Sequence, residues 1–174
     1  EGVVAEVKGR ALVTRPCDTC GHPLTLPVEV DTRLAYVPIS KVDEAIEGEG
    51  LSVLAWRNVP TDKSGLGKLA SDSCPSVKQV FIGKGKKKLS GDDFERKLYA
   101  ARRMAEKEMM NFPEIGEAFY VCSMSSRTIV YKGLLLAPQI PEFYSDLRSE
   151  DMKSALAVVH QRYSTNTFPT WRLA

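Results

Sequence analysis

The chain has 174 residues, 43% of them hydrophobic and 26% charged, an ordinary balance for a globular protein with one packed core. Its 24 basic and 22 acidic residues leave a formal charge of +2, too small to point to nucleic acid or an anionic membrane as partner. No apolar run approaches the roughly 18 residues of a membrane-spanning helix, Glu1 opens neither a signal nor a transit peptide, and four scattered cysteines make no disulfide framework, so the expectation is an intracellular chain with reduced thiols.

From Gly2 to Val30 the short β-like runs VVAEVKG, ALVTRP and LTLPVEV are broken by Gly and Pro. Between the second and third lies CDTCGH, where Cys17, Cys20 and His22 resemble half of a zinc site, since two thiolates at that spacing can share a metal on a tight turn. A tetrahedral site takes four ligands and Cys74 and Cys122 form no second pair, so a turn with two reduced thiols and no metal is the simpler reading. Val42, Ala45 and Ile46 are spaced for a helical face that Gly48 and Gly50 end, and LSVLAW follows as a buried strand. Residues 61–76 read as a polar loop with a short helix at Leu66 to Ala70, and VKQVFIG as a strand. The basic run GKGKKK lacks the Gly-Lys-Ser/Thr ending of a phosphate loop and reads as a solvated turn.

Ser90 with Asp93 forms a capping box, and Phe94, Leu98, Ala101, Ala105 and Met109 follow at helical spacing, which predicts a helix packed by its apolar stripe. FYVCSMSSRTIVYKGLLL reads as two strands joined at Ser125 to Arg127, with Cys122 a packed thiol in the first. APQIPEFYSDL is a Pro-broken segment with a short helix, and LAVVHQRYS is the last strand. Helices and strands alternate irregularly, without a Gly-rich dinucleotide fingerprint, so the fold class is α+β.

The last strand runs into an unusual burst of polar residues. On a strand His160 and Arg162 leave the same face, and Gln161 and Tyr163 the other. An arginine there needs an anion, and its planar fork suits a carboxylate. Ser164, Thr165, Asn166 and Thr167 add hydroxyls and an amide in a turn that Pro169 stops. This composition suits a pocket that grips an α-amino acid by its carboxylate; it suits equally an internal salt bridge from Arg162 to one of the chain's own acidic residues.

HQRYSTNTFPTW resembles the strand and loop of the glutamine amidotransferase domain of the glutamate synthases. GLSVLAWRNVPTD, FYVCSMSSRTIVYKGLLL with FYSDL, and SALAVVHQRYSTNTFPTWRLA occur in the order and spacing of that family, so the resemblance covers about residues 34–174. Residues 1–33, with CDTCGH, form an unassigned β-rich segment. The resemblance implies a type-2 amidotransferase of the N-terminal-nucleophile hydrolase type, an αββα sandwich incomplete in this chain. In that family an N-terminal Cys attacks the glutamine amide with its own α-amino group as base, and an Asn-Gly pair forms the oxyanion hole. The ammonia is used to make glutamate from 2-oxoglutarate over FMN, with an iron–sulfur cluster and NADPH, NADH or ferredoxin as electron source. No cofactor is expected in this chain itself.

Carried over by position, Arg162 matches the arginine that binds the glutamine α-carboxylate. Tyr163 and Thr165 lie where the family's loop touches substrate, and His160 and Asn166 match positions that hold the loop's shape. The implied partners are L-glutamine, the remainder of a glutamate synthase chain, and a small electron-transfer subunit or ferredoxin; the implied compartment is the cytoplasm, or a plastid in a photosynthetic eukaryote. The chain begins Glu1-Gly2-Val3-Val4, none of its cysteines has the family's Cys-Gly-Val-Gly setting, and the Asn-Gly pair would lie past Ala174. The expectation is therefore an internal piece without glutaminase activity of its own, or alternatively a degenerate module that senses glutamine without cleaving it.

Overall fold

A computed structural model describes residues 3–16, 23–36, 38–86, 88–116, 118–161, 166 and 168–174, giving the backbone in the first two stretches and at residue 114. The early β-like runs join into two fourteen-residue strands, β1 (Val3–Pro16) and β2 (Pro23–Tyr36). They pair antiparallel from Val3 opposite Tyr36 to Pro16 opposite Pro23. Gly9 and Pro27, which look like breaks in the sequence, lie within the ladder opposite Val30 and Leu12; the proline is tolerated because each strand of a two-stranded ribbon keeps an open edge.

α1 (Ile39–Gly48) turns Val42, Ala45 and Ile46 inward, as their spacing predicts. It ends where Gly50 takes a φ of +74°, a left-handed conformation that suits glycine, and the Leu51 N–H returns to the Ile46 carbonyl at 3.3 Å. β3 (Ser52–Asn58) and β4 (Lys78–Gly83) form a second antiparallel pair, joined through α2 (Lys68–Asp72). A bulge between Val53 and Ala55 breaks the in-and-out alternation of β3, and Leu54 is left 67% exposed, so this strand is only partly buried where its apolar run predicts full burial.

α3 (Gly91–Met109) is the longest helix. The Ser90 hydroxyl accepts the Asp93 N–H at 3.1 Å and donates to the Asp93 carboxylate at 2.7 Å, which closes the capping box; Asp92 and Asp93 also complement the positive end of the helix dipole. The stripe Phe94, Leu98, Ala101, Ala105 and Met109 is buried and meets α1. Ala101 and Ala105 are small where the helices approach, while Ile46, Leu98 and Met109 supply the bulk. Each fully buried aliphatic side chain contributes about 1.5–3 kcal/mol. At the edge of this core the Trp56 Nε1–H donates to Asp43 at 2.8 Å and Lys97 donates to the Glu49 carbonyl at 2.5 Å, tying β3 to the middle of α1 and α3 to its C-terminal end.

α4 (Pro113–Gly116), α5 (Gln139–Phe143) and a 3-10 turn (Ser145–Arg148) complete the described elements. Three expected strands, one pair and the last strand of the chain, are absent among the described residues. The runs 119–124 and 128–136 carry no β ladder; the Val130 N–H donates to the Ser123 hydroxyl at 3.2 Å, and Glu95 of α3 takes the Ser125 hydroxyl and the Ser126 N–H and hydroxyl at 2.8, 2.7 and 2.6 Å. The Ser123 hydroxyl thus takes an N–H that a ladder would otherwise use, while α3 holds the residues expected to join the two strands. Likewise residues 155–161 are not a strand, and Leu156, Val158 and Val159 are 79%, 89% and 74% exposed. A strand needs a partner edge, and no described segment lies beside this one to provide it.

Candidate functional site

The polar end of the chain is held at a second, smaller core. Phe143, Tyr144 and Trp171 are buried there with Ala70, Tyr131, Leu134 and Ile140 around them. Phe143 and Tyr144 meet edge to face at 4.7 Å and Tyr131 and Tyr144 at 5.0 Å, geometries that the ring quadrupoles favour. The Tyr144 hydroxyl donates to the Lys132 carbonyl at 2.8 Å. The Lys132 ammonium lies 4.9 Å from the centre of the Tyr120 ring and donates to the Arg172 carbonyl at 2.6 Å.

Burial is the main cause of the protonation pattern here. It raises the Tyr144 hydroxyl strongly and pushes Tyr120 up to about 12. It also raises the Cys122 thiol, with Lys132 and Arg102 pulling in the opposite direction. A half-buried, protonated Cys122 matches the packed thiol expected from the sequence and is the reverse of an activated nucleophile. Tyr131, also raised chiefly by burial, reaches Asp146, which Arg57 grips through two nitrogens at 2.5 and 3.3 Å while its Nε donates to Gln79 at 2.7 Å. This fork links β3 to the 3-10 turn.

Arg162, Tyr163 and Thr165, the expected substrate contacts, lie outside the described residues, as do Cys17, Cys20 and His22. His160 and Asn166 are described, and both are exposed. Sequence reasoning passed over Trp171, which is 5% exposed just after the loop, and Gly133, which lies beneath it. The tryptophan in FPTW was visible as part of the motif, but its seat is built from residues far away in sequence.

A cleft of about 250 Å³ opens beside this core, lined by Asp62, Ser64, Gly65, Leu66, Gln139, Glu142, Phe143 and Arg148. Two of its polar side chains are already engaged: the Gln139 amide donates to the Gly65 carbonyl at 2.6 Å and accepts the Leu136 N–H at 2.8 Å, and Asp62 accepts the Ser64 N–H at 2.8 Å. The hydrogen bonds from Ser64 hold Asp62 below the usual carboxylate range. The cleft is smaller than the roughly 300–1,000 Å³ of most ligand pockets. Among the described residues no group of three or more His, Cys, Asp or Glu side chains is placed to hold a metal ion, and no helix is long and apolar enough to cross a membrane.

The model for class-II glutamine amidotransferases matches residues 25–174, and the chain belongs to that family. Over 134 residues it is 49% identical to the glutamate synthase [NADPH] large chain of Bacillus subtilis, a match that covers 77% of this chain and 9% of that protein. It is 44% identical over 133 residues to the chloroplastic ferredoxin-dependent glutamate synthase of Oryza sativa subsp. japonica, and 43% identical over 133 residues to the glutamate synthase [NADPH] large chain of Azospirillum brasilense. These matches cover 76% of this chain in both cases, and 8% and 9% of the relatives. The chain thus spans about a tenth of the length of the relatives it matches. The family implies the N-terminal-nucleophile fold, and the mixture of helices with small antiparallel sheets seen here is compatible with part of it.

Proposed function

We propose that this chain is part of the glutaminase domain of a glutamate synthase and supplies the loop that grips L-glutamine. The observation that carries the reading is the 49% identity to a glutamate synthase large chain, within a family match that runs through the HQRYSTNTFPTW segment. Arg162 binds the substrate α-carboxylate through its two-pronged guanidinium, and Tyr163 and Thr165 line the same site. His160 and Asn166 hold the loop's shape. The αββα sandwich of the family is incomplete in this chain, and residues 1–24 lie ahead of the family match.

Cleavage of the amide requires an activated thiol, and burial works against one at Cys122. On this reading the chain contributes glutamine binding, and the ammonia-releasing reaction belongs to the longer enzyme. The iron–sulfur cluster, FMN and the site that accepts electrons from NADPH, NADH or ferredoxin belong to other parts of that enzyme. Its compartment is the cytoplasm or a plastid.

Calorimetric titration with L-glutamine tests the reading. Binding by the wild-type chain that Arg162→Ala abolishes is the expected result. Equal binding by both proteins returns Arg162 to an internal salt bridge.

A further inference from the structure

The cleft beside the smaller core has walls that are anchored before any ligand arrives. Thr61 forms a single antiparallel bridge with Tyr144, the Asp62 N–H donates to the Phe143 carbonyl at 2.8 Å, and the Ser145 hydroxyl donates to the Pro60 carbonyl at 3.4 Å. The Gln139 amide fastens Gly65 to α5, and Arg57 of β3 grips Asp146 in the 3-10 turn. A loop that reads as mobile and polar in the sequence is thus pinned along its length, so a small molecule entering the cleft would not have to order its walls.

Three charged side chains line this cleft, with Leu66 and the buried Phe143 as its apolar part. Asp62 is kept ionised by the bonds from Ser64 and, through space, by Arg148. Glu142 lies over Gly65, where a methyl group would stand 3.5 Å from a carboxylate oxygen. Neither Glu142 nor Arg148 makes a hydrogen bond or an ion pair with another described residue, whereas Arg57, Lys68 and Lys132 nearby each have a partner. The fixed cleft therefore presents a guanidinium and two carboxylates, two of these three groups without a partner.

We propose that this cleft binds a free α-amino acid, with Arg148 taking the α-carboxylate and Asp62 and Glu142 taking cationic groups, and that it favours a basic side chain. The planar fork of Arg148 suits a carboxylate, and the two acids accept N–H bonds from ammonium groups. Two carboxylates against one guanidinium match a ligand with two cationic groups and one carboxylate, which is the charge pattern of L-lysine. The size agrees: about 250 Å³ is the volume of roughly eight water molecules, room for one amino acid and for little more. None of these residues belongs to the proposed glutamine grip, and the inference does not depend on that reading.

The test is a proton–nitrogen NMR titration of the full 174-residue chain with L-lysine, L-glutamine and L-glutamate. The amide signals of Ser64, Gly65 and Leu66 are expected to move saturably, with L-lysine the tightest ligand and L-glutamate the weakest. Arg148→Gln and Glu142→Gln, both at exposed positions and expected to keep the dispersed spectrum of the wild type, should each raise the Kd for L-lysine about tenfold or more, the loss of one charge-assisted hydrogen bond. Pentane-1,5-diamine, which is L-lysine without its carboxylate, should bind the wild type as weakly as L-lysine binds Arg148→Gln. The response should persist in Arg162→Ala; its loss there would place the ligand at the glutamine grip and overturn the proposal while leaving the functional reading intact. The proposal is also overturned by still signals at residues 64–66, by shifts that sodium chloride of equal ionic strength reproduces, or by an unchanged Kd in Arg148→Gln. Tighter binding of L-glutamate than of L-lysine overturns the preference for a basic side chain.

Discussion

Ile46 is fully buried between α1 and α3, and replacing it by alanine removes three carbons from the centre of the main core. At about 0.8 kcal/mol per methylene the transfer loss alone is roughly 2.4 kcal/mol. Incomplete collapse of the cavity brings the total into the range of about 2–5 kcal/mol observed for such truncations. With a urea slope of about 2 kcal/mol/M, a loss of about 3 kcal/mol lowers the unfolding midpoint, followed by circular dichroism, by about 1.5 M. The matched control is Leu54→Ala, because Leu54 lies in a run that reads as buried but is 67% exposed beside the β3 bulge. It should cost no more than about 0.5 kcal/mol, and its midpoint should move by about 0.25 M or less. Equal shifts for the two variants, or a larger one for Leu54→Ala, would refute both the assignment of the core and the bulge as the cause of that exposure.

Removing the α3 cap with Ser90→Ala should cost about 1 kcal/mol, read as a lower urea midpoint; an unchanged midpoint removes the cap from the account. The hydrogen bonds that Glu95 receives, first from the Ser126 hydroxyl, hold its carboxyl below the ordinary value of 4.5. The attachment of residues 125–126 to α3 therefore contributes fully above about pH 4.5 and is lost as pH falls through the folded value; Glu95→Gln should flatten the acid limb of stability, and an unaltered limb would contradict this. In a variant with serine at positions 17, 20 and 74, the remaining Cys122 should react with a disulfide reagent more slowly than a free thiol at pH 8 and accelerate only above about pH 9, because burial raises its pKa from 9.0. Fast reaction at pH 7 would restore Cys122 as a candidate nucleophile.

The parts of the fold that local chemistry determines could be read from the chain. α3 shows its cap and its stripe within consecutive residues, and α1 shows its buried face and its glycine stop in the same way. Strands depend on partners elsewhere in the chain, and there the reading was less accurate. LAVV has the composition of a buried strand, yet Val158 and Val159 are exposed because no described edge lies beside them. Leu54 shows the same limit on a smaller scale, since a bulge depends on how two strands meet. The family was legible in HQRYSTNTFPTW, whereas the seat of Trp171 was not: Ala70, Gly116, Gly133 and Phe143 become its neighbours only in the folded chain.

The claim that Arg162 holds the glutamine carboxylate is tested most directly by proton–nitrogen NMR of the arginine Nε–H groups, with Arg162 assigned through Arg162→Lys. The Arg162 signal is expected to move downfield on addition of L-glutamine and to stay in place when the α-carboxylate is replaced by an amide. A signal that ignores L-glutamine, or that responds equally to both compounds, would contradict it.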